Sequence, residues 1–421
     1  MATLFDFQIK SVAQLLSGKH FIISGTGSGK TAMALVWADH KCDEENKKKL
    51  LVVTTASKSK TGDFENEADV WSPSLKYRLD EFSVISWHKL KSWVNSHWLN
   101  LTDYVFVFDE VQRAKAGVSS GMGAAFLKIT YKTSNWGAFT GTPGDNWLSF
   151  YPYLQACNLI RNKTQFLRDY ANVQTYKGYP EIIGWRHEDR LKEMWGTVSY
   201  APDTEKVMNE LPEQTHIVVP FKKSSTYNKT LQTRTNLDGD FLDTAGALCA
   251  ELRRQCFTKD KQEWVRDFVE GLESGAVFFY NFIKTGDMLE DIISKALPKS
   301  AKVWRIDGTH HKIPTSETIG PNDMVLCQWQ SGSEALNLQF LHYWVSVEAC
   351  YSYSTSIQAR GRIRRLGQKF PQTYWYLKTE GTIEDAVYEA LKNKSEFSEK
   401  NWCLSNNIEV KEDDAVQEQG G

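Results

Sequence analysis

Long hydrophobic runs, paired cysteines and metal-type histidine pairs are all missing from this sequence. No apolar run approaches the roughly 18 residues needed to cross a bilayer, and the longest are short stretches such as 276–282. The seven cysteines occur singly, and no HExxH spacing is present. An odd, unpatterned set of cysteines is typical of reduced thiols in a cytosol and argues against a zinc site. The N-terminal MATLFDFQIK has no basic segment followed by an apolar one, so we expect no signal peptide and a cytoplasmic location.

An excess of positive charge is also missing. The chain has 50 lysines and arginines against 52 aspartates and glutamates, a formal net charge of −2. Repressors and architectural nucleic-acid binders are usually basic overall. A motor needs only a basic cleft, with a grip weak enough to release at every step. The charge balance therefore argues against a passive nucleic-acid binder more than against a translocase.

The length of 421 residues is too great for one ordinary core and suits two domains of about 200 residues each. In both halves, short buried strands alternate with helical stretches, which predicts an α/β fold with parallel sheets covered by helices. We predict a first domain over 1–205 with a helical insertion at 147–195. The second domain is expected over 206–400, with a helical insertion at 224–272. The acidic segment 401–421 is expected to be a disordered tail.

The string SGTGSGKT follows a predicted buried strand and opens a predicted helix, which is the context of a phosphate-binding loop. Glycines let backbone N–H groups curl around phosphates, while Lys30 reaches the β- and γ-phosphates and the Thr31 hydroxyl ligates Mg²⁺. Ser24 replaces the first glycine of the strict pattern. We therefore predict ATP and Mg²⁺ as cofactors, bound by Gly25, Thr26, Gly27, Ser28, Gly29, Lys30 and Thr31.

An acidic pair follows the apolar strand YVFVF, at the end where open α/β sheets place their ligands. Asp109 is predicted to hold Mg²⁺, and Glu110 to polarise the attacking water. A small-molecule kinase needs no such glutamate, so the pair favours hydrolysis. A second short strand ends in Thr140, Gly141 and Thr142, whose hydroxyls can hydrogen-bond the acidic loop and report the γ-phosphate.

The string QARGRIRRLGQ carries clustered arginines in the second half of the chain. At helical spacing Arg362 and Arg365 project from one face, with Gln358 one turn earlier as a predicted nucleotide contact. An arginine finger is worth roughly 10³–10⁵ in rate. Because Lys30 lies in the other half, ATP is expected to bind between the halves, whose closure and opening would be the power stroke. The alternative is a basic helix face or a nuclear-localisation patch.

Polar strings at other strand ends are candidate nucleic-acid contacts, because hydroxyls and backbone N–H groups suit phosphate oxygens. The alternative is that they are ordinary strand-end loops of an α/β fold. The candidates are Thr55, Ser57, Lys58, Ser86, Ser331 and Gly332.

In this order and spacing the strings resemble superfamily-two helicases, and specifically the Swi/Snf-like ATPases of a minimal, prokaryotic or viral type. The resemblance covers about 5–394 and includes TTAS, DEVQ, TGTPGDN, FFYNF, SGSEALNL and the closing TEGTIEDAVYEALKNK. It implies two RecA-like lobes with helical insertions and ATP-driven translocation on duplex DNA. It also implies that Gln8 reads adenine. Gln112 stands at the position of the DExH-box histidine and is assigned to coupling.

The sequence departs from that family at several points. Ser333 and Ala335 replace two glycines, and the twin arginine before the interlobe linker is missing. No chromatin-binding module is appended, so we expect a compact motor of replication, recombination or repair, acting on duplex or branched DNA. Three rivals stay open: an RNA helicase, a restriction-type motor subunit and a nucleic-acid-binding scaffold with a dead ATPase. A monomer is compatible with the sequence, which leaves the oligomeric state open.

Overall fold

The computed structural model describes residues 3–144, 146–176, 179–204, 207, 209–310, 312–332, 337–366, 368–395 and 397–408. Backbone packing divides the chain into two units, Met1–Glu210 and Leu211–Gly421. Each unit has its own sheet and cores. The predicted disordered tail is wrong at its start, because 401–405 belong to the helix Glu399–Ser405, and its last part, 409–421, lies outside the described residues.

The first unit contains a sheet of six strands and a separate hairpin. The strands are β1 (Phe21–Ile23), β2 (Lys49–Thr54), β3 (Glu81–Ser86), β4 (Tyr104–Asp109), β5 (Trp136–Thr140), β6 (Ala171–Tyr176), β7 (Tyr179–Trp185) and β8 (Ser199–Tyr200). The helices are α1 (Asp6–Leu16), α2 (Lys30–Glu44), α3 (Ala56–Thr61), α4 (Asp63–Trp71), α5 (Leu75–Arg78), α6 (Trp87–His97), α7 (Gly121–Lys132), α8 (Trp147–Ala156), α9 (Lys163–Tyr170) and α10 (Glu188–Val198). The sheet order is β3-β2-β4-β5-β1-β8, and every pair is parallel.

The alternation of β4 explains why this sheet is covered on both faces. Phe106 and Phe108 belong to one apolar cluster, which includes residues of α6 and α7. Val105 and Val107 belong to another, which includes residues of α2 and α4. Successive side chains of a strand point to opposite faces, and full burial of each such side chain contributes about 1.5–3 kcal/mol. A strand that is apolar at every position therefore requires helices on both sides.

The second unit contains another parallel sheet of six strands among the residues described. The strands are β9 (Gln214–Lys222), β10 (Ala276–Tyr280), β11 (Val303–Ile306), β12 (Met324–Gln328), β13 (Tyr343–Ser346) and β14 (Gln372–Glu380). The helices are α11 (Tyr227–Thr233), α12 (Ala245–Arg254), α13 (Lys259–Glu270), α14 (Ile283–Ala296), α15 (Trp329–Gly332), α16 (Tyr353–Arg360), α17 (Ile383–Lys392) and α18 (Glu399–Ser405). The order is β11-β12-β10-β13-β14-β9, with all pairs parallel.

These two sheets confirm the predicted α/β fold class, with one parallel sheet flanked by helices in each unit. The segment 224–272 carries α11, α12 and α13, as expected for a helical insertion. Strand β14, which the sequence analysis did not anticipate, pairs with both β13 and β9. In the described ranges, no helix is both long enough and apolar enough to span a membrane.

The expectation of a helical insertion at 147–195 is wrong in its middle part. Between α9 and α10 the chain forms the antiparallel hairpin of β6 and β7, with a register shift between Asn172 and Val173. The sequence of β7, YPEIIGW, contains a proline, a glycine and two β-branched isoleucines. Each of these residue types disfavours a helix interior, so the local sequence favours extended backbone here.

Candidate nucleotide site

The glycine-rich loop joins β1 to α2, as a phosphate-binding loop should. Gly29 caps α2 with a left-handed φ of 76°, and Gly27 has a φ of 79°. A Cβ added at Gly29 would lie 2.4 Å from the Gln8 amide nitrogen, whereas one at Gly25 would meet no atom within 4 Å. The loop therefore needs glycine at Gly29 for conformation and space, and it is open above Gly25.

Lys30 is the first residue of α2, and its ammonium group folds back over the loop. Its Nζ donates to the carbonyl oxygens of Ser24 and Gly25, at 3.0 Å each. Charge-assisted hydrogen bonds to phosphate oxygens are stronger than bonds to neutral carbonyls. The ammonium thus lies at the loop that would hold the phosphates, and the donor set fits an anionic ligand. Thr31, the next residue of α2, is half-buried.

Gln8 is buried in α1, and both ends of its amide bind backbone. Its Nε2 donates to the Ser28 carbonyl at 2.9 Å, and its Oε1 accepts from the Phe5 amide at 2.9 Å. The Ser28 hydroxyl in turn donates to the Gly25 carbonyl at 2.7 Å. Gln8 therefore ties the start of α1 to the glycine-rich loop. The predicted adenine contact stays a prediction.

Asp109 ends β4, and three side chains from neighbouring strand ends converge on it. Thr54 donates to its Oδ2 at 2.7 Å and Lys58 at 2.8 Å, while the Trp87 indole donates to its carbonyl oxygen at 2.8 Å. Burial opposes ionisation of this carboxyl group, but Lys58 and the hydrogen bonds outweigh burial and hold the pKa of Asp109 below its usual range. Asp109 is therefore an anchored carboxylate at the carboxyl edge of the sheet.

Glu110 follows in a strained backbone conformation, with a φ of 54°. Residues other than glycine adopt this left-handed region at a cost of about 1–3 kcal/mol, and such strain clusters at functional sites. The Gln112 amide donates to the Glu110 carboxylate at 2.6 Å, and the Thr140 hydroxyl donates to the Gln112 oxygen at 2.6 Å. The Thr142 amide donates to Thr140 Oγ1 at 3.0 Å. A continuous hydrogen-bonded chain thus connects the end of β5 to Glu110.

Strand order explains how these residues meet. β4 lies between β2 and β5, and β1 lies beside β5, so the carboxyl ends that carry Thr54, Asp109, Thr140 and the glycine-rich loop are neighbours. A Cβ added at Gly141 would lie 3.3 Å from the Ser24 carbonyl oxygen. Gly141 therefore lets the end of β5 approach the loop closely.

The residues of this edge fit Mg²⁺ bound together with a nucleotide. Mg²⁺ prefers one or two carboxylates plus phosphate and water oxygens, which the Asp109 carboxylate and the Thr31 hydroxyl suit. Among the described residues, no three His, Cys, Asp or Glu side chains form a metal-binding group. A self-sufficient protein cage for a metal is therefore absent from the part of the chain that the structure describes.

The arginine string of the second unit differs from the sequence-based expectation. Helix α16 ends at Arg360, so Arg362 and Arg365 do not share a helical face. The Arg362 side chain is buried, with the residue only 5% exposed, and Arg365 Nε donates to the Gly361 carbonyl at 3.3 Å. Gln358 lies within α16 and is half-buried. The helical-face argument is therefore wrong, while the assigned roles of these residues stay predictions.

Gln368 holds this arginine segment in place, a role that the sequence analysis missed. Its Nε2 lies 2.9 Å from the carbonyl oxygens of Gln339 and Ile363, and its Oε1 accepts from the amides of Lys369 and Phe370 at 2.9 and 3.2 Å. A buried amide with so many partners fixes the backbone around it. The sequence signal was the glutamine that ends the arginine string.

Several predicted nucleic-acid contacts lie in enclosed positions. Thr55 is buried and caps α3, accepting from the Lys58 amide at 3.4 Å, and Ser86 is buried where β3 ends. Ser331 is half-buried in α15. The side chain of Ser57 and the surroundings of Gly332 lie outside the described part of the chain. Thr55, Lys58 and Ser86 thus lie near the carboxyl edge of the first sheet, which carries Asp109 and the glycine-rich loop and is called the nucleotide edge below. Their contact with nucleic acid stays a prediction.

Thr54 and Trp87 are the site residues that the sequence analysis did not assign. Both stand at the carboxyl end of a predicted strand, where polar groups of neighbouring parallel strands meet. That position was a usable signal. Which strand neighbours which was not visible in the sequence, so their shared partner Asp109 could not be named.

Comparison with known proteins finds similarity among solved structures. No protein-family model and no curated protein matches the sequence. Among solved structures, the chain is similar to the Sulfolobus solfataricus SWI2/SNF2 ATPase core in complex with dsDNA, at 16% identity and a TM-score of 0.43. The match covers 93% of this chain and 91% of the other. At this distance, the function has to be argued from the site itself.

Proposed function

We propose that this protein is an ATPase that couples hydrolysis to translocation along DNA. One observation carries the proposal: the hydrogen-bonded chain from Thr140 through Gln112 to Glu110, beside Asp109 and the Lys30 loop. A P-loop protein that only binds nucleotide needs no such connection. A motor does, because the state of its γ-phosphate must be transmitted to the rest of the protein.

Each residue of the first unit has a role in this proposal. The loop amides and Lys30 hold the phosphates, and Thr31 and Asp109 hold Mg²⁺, which neutralises phosphate charge when bound. Glu110 orients a water for in-line attack on the γ-phosphorus and accepts its proton as the bond to the ADP oxygen breaks. The Gln112 amide orients the Glu110 carboxylate by its hydrogen bond, and the Thr140 hydroxyl orients Gln112 in the same way.

Arg362 and Arg365 are proposed to stabilise the charge that develops on the transferred phosphoryl group. Two features of the second unit support this role. Arg362 is buried, and a guanidinium in a dry setting interacts strongly with an anion. Gln368 holds the backbone of the segment, which reduces the ordering cost of presenting the arginines.

The substrate is proposed to be duplex or branched DNA, in replication, recombination or repair. The support is the resemblance of the motif strings to Swi/Snf-like ATPases, together with a net charge that disfavours a passive binder. An RNA helicase and a restriction-type motor subunit are the alternatives, and both share the chemistry of the first unit.

Steady-state ATP hydrolysis tests the proposal. Turnover is measured without nucleic acid and with single-stranded DNA, duplex DNA, a four-way junction and duplex RNA. Salt is held at one low concentration, because phosphate contacts make affinity steeply salt-dependent. We expect the strongest stimulation by duplex or branched DNA. Stimulation by RNA alone would replace the substrate class, and no stimulation by any of them would favour a motor that acts only with partner subunits.

A further inference from the structure

Lys58 and Asp109 form an enclosed ion pair at the nucleotide edge. Lys58 Nζ lies 2.8 Å from Asp109 Oδ2, and the side chains are 16% and 2% exposed. The Thr54 hydroxyl donates to the same oxygen at 2.7 Å. The carboxylate predicted to hold Mg²⁺ is therefore already bound to an ammonium group.

Charge neutrality explains why an ammonium lies there. A buried carboxylate without a counter-ion is costly, so a cation beside Asp109 stabilises its ionised form. Lys30 is also positive and lies near enough to lower the pKa of Asp109, but its ammonium donates to the Ser24 and Gly25 carbonyls. Lys58 is a charged group that hydrogen-bonds the carboxylate directly.

A divalent cation and the Lys58 ammonium compete for this carboxylate. Mg²⁺ lies about 2.0–2.1 Å from an oxygen ligand, or one water further away. Lys58 and Thr54 both donate to Asp109 Oδ2, so that oxygen already has two hydrogen-bond donors. Two cations on one enclosed carboxylate also repel each other strongly, because screening by water is weak there. Lys58 is therefore expected to leave when a divalent cation binds.

The place of Lys58 in the chain puts it in a segment that is predicted to contact a second anionic group. It lies on α3, directly after β2, in the string TTASKSK that is predicted to contact nucleic-acid phosphates. The side chain is long and flexible, and Lys60 on the same helix is exposed. A released Lys58 could therefore bind a phosphate of the substrate.

We propose that Lys58 is the resident counter-ion of Asp109, is exchanged for a divalent cation at this carboxylate, and is thereby released to bind a nucleic-acid phosphate. The inference rests on the proposed function, since it uses the same nucleotide site. It adds Lys58 as a residue that links the binding of a divalent cation at Asp109 to the affinity for nucleic acid.

Thermal unfolding of the full chain tests the exchange, with ADP and Mg²⁺ against ADP and EDTA at matched ionic strength. Lys58→Met should melt lower than wild type in EDTA, because Asp109 loses its counter-ion. It should gain more from Mg²⁺, with a half-saturating concentration about tenfold lower, within the usual range for coupled equilibria. The matched Lys60→Met should behave as wild type, and Asp109→Asn should lose the Mg²⁺ response. Equal Mg²⁺ responses in Lys58→Met and wild type would overturn the exchange.

A double variant keeps this test decisive if Lys58→Met does not fold in EDTA. Lys58→Met/Asp109→Asn removes both charges and should fold without responding to Mg²⁺. Recovery of the Lys58→Met fold by Mg²⁺ would support the proposal. Failure to recover with Mg²⁺, while the double variant folds, would overturn it, because a cation could then not replace Lys58.

The release of Lys58 is tested by the salt dependence of duplex DNA binding. One additional phosphate contact steepens the slope of log affinity against log salt by about 0.9. Wild type should show this steepening when Mg²⁺ and ADP are added, and Lys58→Met should not. Equal slopes in wild type with and without Mg²⁺ and ADP would overturn the release. Since the melting test uses neither turnover nor DNA, a protein whose ATPase ignores all nucleic acids could still show the exchange, so the two failures are distinguishable.

Discussion

The Gln112 amide donates a 2.6 Å hydrogen bond to the Glu110 carboxylate. The other end of the same side chain accepts from Thr140, so the bond also ties Glu110 to the end of β5. Glu110 is held in a left-handed backbone conformation at this point. The orientation of the proposed base therefore depends on a residue from another strand, and this dependence can be measured.

Replacing Gln112 by Ala should lower kcat by about 10- to 100-fold and leave ATP affinity nearly unchanged. The reason is that the orientation of the Glu110 carboxylate, which would be lost, matters mainly in the transition state. Thr140→Val should also lower kcat, but by a smaller factor than Gln112→Ala. The double variant should be no worse than Gln112→Ala, since both changes break one chain. Steady-state kinetics on the three variants measures this. Additive losses would show that the two residues act independently.

Lys30→Ala and Glu110→Gln should abolish turnover while the free energy of unfolding stays within about 1 kcal/mol of wild type, because both remove site chemistry rather than core packing. Glu110→Gln should still bind ATP, whereas Lys30→Ala should bind it more weakly. Turnover and urea unfolding measured on the same samples check both points. Wild-type turnover in Glu110→Gln would remove Glu110 from its assigned role.

Arg365→Ala should lower kcat far more than it weakens ATP binding, by roughly 10³-fold or more if Arg365 is the finger. Lys369→Ala is the matched control, since Lys369 is exposed in the same segment and should leave both quantities unchanged. Turnover and nucleotide titration separate the effects. Equal losses in kcat and affinity would indicate a role in ground-state binding.

Asp323→Asn should destabilise the second unit in a pH-dependent way. Asp323 accepts from the Lys302 and Gly320 amides and the Trp304 indole, at 2.8, 2.9 and 2.8 Å. Burial opposes its ionisation, but these bonds outweigh burial and hold the pKa of Asp323 below its usual 3.8. The contribution to stability is therefore full above that value and is lost as pH falls through the lowered pKa.

The loss in Asp323→Asn at neutral pH should be about 1–3 kcal/mol, because the amide leaves buried donors unsatisfied. The difference from wild type should shrink below pH 3.8. Urea unfolding over a pH series measures it, with the exposed Asp291→Asn as a control that should change little at any pH. A difference that does not vary with pH would show that Asp323 is not ionised in the folded protein.

The local sequence pattern was sufficient to predict the fold class and the position of the glycine-rich loop. Apolar strands such as YVFVF, between helical stretches, predicted parallel sheets covered by helices, because such strands must be buried on both faces. The loop from Ser24 to Thr31 could be placed because it needs only a strand, glycines and a helix in series. Strand β14 and the β6–β7 hairpin were missed, since their sequences lack a clear period or lie in an aromatic segment.

The sequence by itself determined the features that depend on residues close together in the chain. These are the glycine-rich loop, the acidic pair and the alternation of strands and helices that predicts the fold class. Only the tertiary structure decided which strand ends are neighbours. The order β3-β2-β4 brings Thr54, Lys58 and Trp87 to Asp109, and no periodicity encodes that order because it arises from long-range packing. The position at which α16 ends, Arg360, likewise depends on tertiary contacts. Gly361 weakens the helix. The Leu338 amide donates to the Arg362 carbonyl and Gln368 Nε2 donates to the Ile363 carbonyl, and these bonds hold the following segment in another conformation.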